Sequence, residues 1–130
     1  MSFTNISNLP MKISLITVTY NSEKYLEDCI LSVRKQNYKN IEHIIIDGHS
    51  TDGTVSILER FSPNISRWIS EPDKGMYDAI NKGMRMATGD VIGVLNSDDV
   101  LASSDVISEI ARCFASCNAE SIYGDLEYVD

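Results

Sequence analysis

"IEHIIID", residues 41–47, runs three isoleucines together before an aspartate. A strand with one wet face alternates apolar and polar side chains. One buried on both faces does not, and such strands belong to parallel sheets covered by helices. Working outward, "KISLITV" (Lys12–Val18) has the same character and forms the preceding strand. Between the two, from Glu23 to Gln36, residues Tyr25, Leu26, Cys29, Ile30 and Val33 fall on one helical face. Glu23 in its first turn and Arg34 and Lys35 in its last suit the helix dipole. After the turn "HSTDGT", with Asp52 as an N-cap, Val55, Leu58 and Phe61 mark a short helix that Pro63 limits. "ISRWIS" (Ile65–Ser70) is a weaker strand, broken by "EPDKG". Met76, Ile80, Gly83, Met84 and Ala87 define an amphipathic helix closed by Gly89, and "DVIGVL" (Asp90–Leu95) is the fourth strand. Ser103 or Ser104 caps a helix whose face is Val106, Ile107, Ile110, Ala111 and Phe114. "ESIYG", residues 120–124, is a candidate fifth strand. The alternation predicts an α/β fold: a mainly parallel sheet with helices on both faces, and strand C-termini gathered along one edge. Residues 11–130 form one domain after a flexible lead-in over residues 1–10.

The bulk composition bounds the function. At 130 residues, 43% apolar and 23% charged, the chain is that of a globular protein. Its formal net charge of -8 disfavours nucleic acid and anionic lipid, and a phosphorylated ligand would need a cation. Cys29, Cys113 and Cys117 are too few and too odd for a disulfide framework, lack the partners of a zinc site, and read as buried thiols in a reducing compartment. No apolar run approaches the ~20 residues that span a bilayer, and the first ten residues lack the features of a signal peptide. Cytoplasmic location is expected, with peripheral attachment at the inner face of the membrane as the alternative.

Ligands of open parallel sheets sit beyond the strand C-termini. Thr19-Tyr20-Asn21 follows the first strand, Asp47-Gly48 ends the second, Glu71-Pro72-Asp73-Lys74-Gly75 follows the third, and Asn96-Ser97-Asp98-Asp99 follows the fourth. Two adjacent carboxylates ~4 Å apart repel by up to about 4 kcal/mol at an effective dielectric near 20. Either both face water or a cation lies between them. Mg²⁺ or Mn²⁺, held by one or two carboxylates plus substrate phosphates, answers the repulsion and lets an acidic protein hold a diphosphate. Tyr20 is placed to stack on a base. Asp47 is an acceptor for the ring N–H of uracil, thymine or guanine. Lys74 is a candidate phosphate or base contact, although no phosphate-binding glycine loop is present. His43 and His49 have no local partner that would make either a catalytic base, and both read as structural.

These residues resemble a known pattern. "ISLITVTYNSEKYLEDCILSVRKQNYKNIEHIIIDGHSTDGT" followed by "EPDKGMYDAINKGMRMATGDVIGVLNSDD" is similar to the family-2 glycosyltransferases of the GT-A fold, above all to bacterial enzymes of surface-polysaccharide (colanic-acid type) assembly. The resemblance covers about Lys12 to Asp105. It implies a Rossmann-like nucleotide-binding half, a nucleotide-sugar donor such as a UDP-sugar, a saccharide or lipid-linked saccharide acceptor, a divalent cation (Mn²⁺ or Mg²⁺) and inversion at the sugar carbon. It places Thr19 and Tyr20 in the first nucleotide-binding motif and Asp47 on the base. Gly75, Asn81 and Gly83, with Lys74, fall in the helix region beside the nucleotide. Asn96-Ser97-Asp98 matches the Asp-x-Asp metal motif, with Asp98 as its main metal carboxylate and Asp99 flanking it. Asn96 replaces the motif's first aspartate, which favours ribose contact over tight metal binding at that position. The family's general base is expected beyond Asp130, so the chain reads as an N-terminal donor-binding portion truncated at its C-terminus. The alternative function is a nucleotide-sugar-binding module without turnover. A fold ending in mid-sheet would also favour self-association.

Overall fold

The computed structural model of the protein describes residues 11–117 and 128–129. The lead-in and the "ESIYG" strand lie outside the described residues. Among the described residues eleven elements follow one another: β1 (Ile13–Thr19), α1 (Leu26–Arg34), β2 (Ile41–Asp47), α2 (Thr54–Arg60), a 3₁₀ turn (Ser62–Asn64), β3 (Arg67–Ser70), α3 (Met76–Met86), β4 (Val91–Val94), β5 (Val100–Leu101), α4 (Val106–Cys117) and β6 (Tyr128–Val129). The main sheet has the order β3-β2-β1-β4, and its pairings are all parallel. β5 and β6 form a separate antiparallel pair, Val100 opposite Val129, which no periodicity in the sequence announces.

Parallel register aligns the alternation across the sheet. Ile13, Leu15, Thr17 and Thr19 of β1 stand beside Ile41, His43, Ile45 and Asp47 of β2, and the intervening residues stand together on the opposite face. One face packs against α1, α2 and α4, in a cluster built on Leu15, Cys29, Leu95 and Ile107 and another built on Leu26, Ile30, Ile45 and Leu58. The other face carries Ile16, Ile44 and Ile46 and packs against Ala79 of α3. Consecutive isoleucines in β2 are therefore all buried, each pointing to one face or the other.

Five expectations need correction. The buried face of α3 is Ala79 and Gly83, with Met86 and Ala87 packed beside them, whereas Met76 and Met84 are exposed. Small residues win that face because the helix lies close on β1: a Cβ at Gly83 would stand 2.5 Å from Ile16 Cγ2. Gly89 does not close α3, which ends at Met86. It is required instead by crowding, since a Cβ there would meet Ser14 Oγ at 2.5 Å and the Lys12 carbonyl at 2.8 Å. α1 begins at Leu26 rather than Glu23, leaving Tyr25 outside the helix and exposed. No serine caps α4: the Ile107 N–H donates to Gln36 Oε1 at 3.1 Å, while Ser103 bonds Asp105. Cys29 is buried as expected, but Cys113 is exposed.

Candidate functional site

The ends of β1, β2 and β3 lie in one row, Thr19 beside Asp47 and Asp47 beside Ser70. β4 stops lower, with Val94 opposite Ile16, and the Leu95 N–H still donates to the Ile16 carbonyl at 2.9 Å. The residues after β4 are thus delivered to the same edge. A cleft of about 880 Å³ opens there.

Two loops build one wall. Asn21 and His49 both adopt left-handed backbone, φ 50° and 70°, a conformation that Asn and His tolerate better than most residues. Asn21 Oδ1 accepts the Thr51 N–H at 2.8 Å and the Asp52 N–H at 3.3 Å, and the Asn21 N–H donates to Ser50 Oγ at 2.8 Å. Next along, the Ser22 N–H donates to Thr54 Oγ1 at 2.9 Å, and Glu23 Oε2 accepts the Gly53 N–H at 2.9 Å. Asp52 accepts the Thr54 N–H at 2.9 Å, so it serves the start of α2 as expected, from one residue before the cap Gly53. Ser22 also shares a hydroxyl–hydroxyl bond of 2.9 Å with Ser97, tying the β1 loop to the segment after β4.

Of the residues singled out in the sequence, Thr19, Tyr20, Gly75, Asn96, Ser97 and Asp98 line this cleft together. Tyr20 is 60% exposed, with its ring open to a ligand. Thr19 is buried, and its hydroxyl has no hydrogen-bond partner among the described residues. Gly75, at φ 115°, starts α3 where the conformation suits glycine. Asp98 is exposed and Asp99 half-buried, its N–H donating to the Asn96 carbonyl at 3.1 Å. Beneath them Cys29 is pushed up to about 12 by burial, and the charges of Asp99 and Asp98 add to that rise. It is an inert thiol at neutral pH.

Asp47 does not line the cleft. Its carboxylate is fully buried and accepts hydrogen bonds from the Ser50 N–H (2.9 Å), Ser50 Oγ (2.5 Å) and Ser70 Oγ (2.7 Å). Lys74 and Asn81 are exposed and lie outside the lining, and Gly83 faces β1. Sequence reasoning gave no site role to Ser22, Tyr25, His49, Thr51 and Asp73, all of which line the cleft. Turn-forming Asn-Ser and Gly-His-Ser after consecutive strands were the available signal.

The donor chemistry admits a hard cation. Asp98 supplies an exposed carboxylate, with further oxygens on Asn96 and Ser97. Among the described residues no group of three or more His, Cys, Asp or Glu is gathered to hold a metal by itself. A carboxylate that shares the ion with a ligand's phosphates suits Mg²⁺ or Mn²⁺, not a closed zinc site.

The family model "Glycosyl transferase family 2" matches residues 14–129. The chain belongs to glycosyltransferase family 2. It is 42% identical over 104 residues to an uncharacterized glycosyltransferase of Mycobacterium tuberculosis, covering 79% of this chain and 40% of that protein. It is 32% identical over 117 residues to a PGL/p-HBAD biosynthesis glycosyltransferase of Mycobacterium bovis, covering 87% and 46%. The chain thus spans less than half the length of these relatives. Among solved structures it is similar to S. aureus TarS 1-349 in complex with UDP-GlcNAc, with a TM-score of 0.72, 28% identity, and coverage of 80% of this chain and 31% of that one. A Pyrobaculum calidifontis mannosyltransferase in complex with GDP-Man and Mn²⁺ shares the GT-A fold, with a TM-score of 0.78, 24% identity, and coverage of 85% and 34%. The family-2 chain described here is therefore an α/β, Rossmann-like GT-A fold.

Proposed function

We propose that the cleft binds the nucleoside-diphosphate part of a sugar donor, and that the protein transfers the sugar with inversion to a hydroxyl of a saccharide or lipid-linked saccharide in surface-polysaccharide synthesis. The observation that carries the reading is the meeting of Thr19 and Tyr20 from one strand end with Asn96, Ser97 and Asp98 from another along a single cleft. Membership of the family and the sugar nucleotides bound by TarS and the mannosyltransferase support it. Tyr20 stacks on the base, Thr19 forms the wall beneath the nucleotide, and Asn96 with Ser97 faces the ribose. Asp98, flanked by Asp99, would hold Mn²⁺ or Mg²⁺. When bound, that ion would neutralise charge on the diphosphate leaving group. Among the described residues no lysine or arginine lines the cleft, so phosphate charge there depends on the cation and on backbone N–H groups. Deprotonation of the acceptor hydroxyl falls to none of the described cleft residues in this reading. The work is cytoplasmic, at or near the inner face of the membrane. Among the described residues no helix is long and apolar enough to cross one.

Calorimetric titration of UDP and GDP, with and without MnCl₂, tests the proposal on wild type and Asp98→Ala. Wild type is expected to bind at least one of them, tighter by tenfold or more with the ion, on the scale of one charge-assisted contact. Asp98→Ala should lose that gain. Equal binding with and without metal would remove Asp98 from its role, and no binding under any condition would remove the donor site.

A further inference from the structure

The sheet order spaces the two carboxylates of the cleft lining. Asp73 follows β3 at one end of the β3-β2-β1-β4 row and Asp98 follows β4 at the other, with Tyr20 after β1 between them. The outer strands are three spacings apart, but Asp73 reaches in over the end of β2, so about two strand spacings, roughly 10 Å, separate it from the end of β4. Two acceptors so placed serve two different groups of one ligand. Asp98 has the divalent-cation end, which leaves Asp73 a partner elsewhere.

Asp47, which the sequence pattern put on the base, has its carboxylate closed off, fully buried and occupied by Ser50 and Ser70. Asp73 stands directly above that place. A Cβ added at Gly48, the residue after Asp47, would lie 3.0 Å from Asp73 Oδ2. The missing side chain at Gly48 is what lets Asp73 lean over the end of β2. Asp73 Oδ1 is fixed by the Gly75 N–H at 3.0 Å. Oδ2 makes no hydrogen bond to the described residues and belongs to a residue lining the cleft.

We propose that Asp73, rather than Asp47, reads the base: its Oδ2 accepts the ring N–H of a uracil, thymine or guanine stacked on Tyr20. The inference rests on the nucleotide reading of the cleft given above. A carboxylate is acceptor-only, so cytosine and adenine, which present a bare ring nitrogen on that edge, are rejected. Rejection of this kind is strong because the wrong base leaves a desolvated acceptor unpaired. Asp73→Asn is the informative exchange. The amide oxygen can keep the Gly75 bond, which puts an N–H₂ donor where Oδ2 was.

Calorimetry with UDP, GDP, CDP and ADP in MnCl₂, on wild type, Asp73→Asn and Asp47→Asn, gives the test. Wild type should prefer UDP or GDP over CDP and ADP. In Asp73→Asn that preference should fall by about tenfold or more, with CDP gaining, at an unchanged melting temperature. Asp47→Asn should melt lower and keep the wild-type preference. If Asp47→Asn fails to fold, Asp73→Asn alone decides. Full preference retained in Asp73→Asn overturns the proposal, as does loss of preference in a stably folded Asp47→Asn. Equal binding of all four by wild type overturns it too, while leaving the donor site intact. Failure of wild type to bind any of them removes the donor site and this inference with it.

Discussion

His43 sits inside β2 with its Nε2 2.8 Å from the Thr17 hydroxyl and its Nδ1 without a partner among the described residues. Burial pulls its pKa from 6.5 down to about 4. Between those two values the unfolded chain binds a proton that the native one refuses, so stability falls as pH drops from about 6.5 toward 4, and is unaffected by this group above that window. The full effect is on the order of 3 kcal/mol. Wild type should therefore lose melting temperature between pH 7 and pH 5 more steeply than His43→Gln, read by thermal denaturation at fixed ionic strength. A parallel slope in the two would show that His43 does not hold its neutral form in the fold. Glu42 pushes in the same direction at lower pH. Burial raises its pKa, but the Thr88 N–H, the Ser14 and Thr88 hydroxyls and the Lys12 charge together bring it below the ordinary value. At this scale residue types were more legible than the directions their side chains take. Tyr20 and Asp98 were legible as strand-end residues. Asp47 and Asp73 were both visible at strand ends, but nothing local says that two serines occupy the first and leave the second open. His49 looked inert because its place on the cleft depends on a left-handed turn.

α3 shows why periodicity found the element and misassigned its face. Met76, Ile80 and Met84 recur at helical spacing, as do Ala79, Gly83 and Met86 on the neighbouring stripe, and only the distance to β1 chooses between them. Close approach selects the small residues, leaving Met76 and Met84 in solvent. Gly83→Ala makes the choice measurable. Helix propensity favours the alanine by about 1 kcal/mol. The 2.5 Å approach to Ile16 Cγ2 costs roughly 1–3 kcal/mol if α3 is pushed off the sheet. Net destabilisation of about 1 kcal/mol is expected in urea denaturation, with no change in the slope of the transition. A stabilised variant would mean that α3 packs less tightly than described. β2 was read with its observed bounds because three consecutive isoleucines, flanked by Ile41 and closed by Asp47, bury both faces of one strand. The β5–β6 pair escaped because two-residue strands carry no repeat, and their partnership spans about a quarter of the chain.

At the scale of the whole molecule, the formal charge of -8 and a cleft that no described lysine or arginine lines make the divalent ion decisive for any diphosphate. Ligand present at 100 times its dissociation constant stabilises a fold by about 2.7 kcal/mol, which raises the melting temperature of a domain this size by about ten degrees. UDP or GDP with MnCl₂ should give such a shift, the nucleotide alone much less, and added EDTA should return the melting temperature to that of the unliganded chain. An undiminished shift in EDTA would count against the cation. The parallel sheet and its ligand edge were legible from strand order alone, because right-handed crossovers leave little freedom once the elements are known. The size and lining of the cleft were not, since they depend on how loops remote in the chain lock together. The wall made by the Asn21–Glu23 and Ser50–Thr54 segments has a consequence for engineering. Each segment's backbone donors end on the other's side chains, so neither half carries the information for its own shape. Grafting one of them from a homologue would strand its counterpart's amides. A transplant that retains a binding-competent wall must move both segments together.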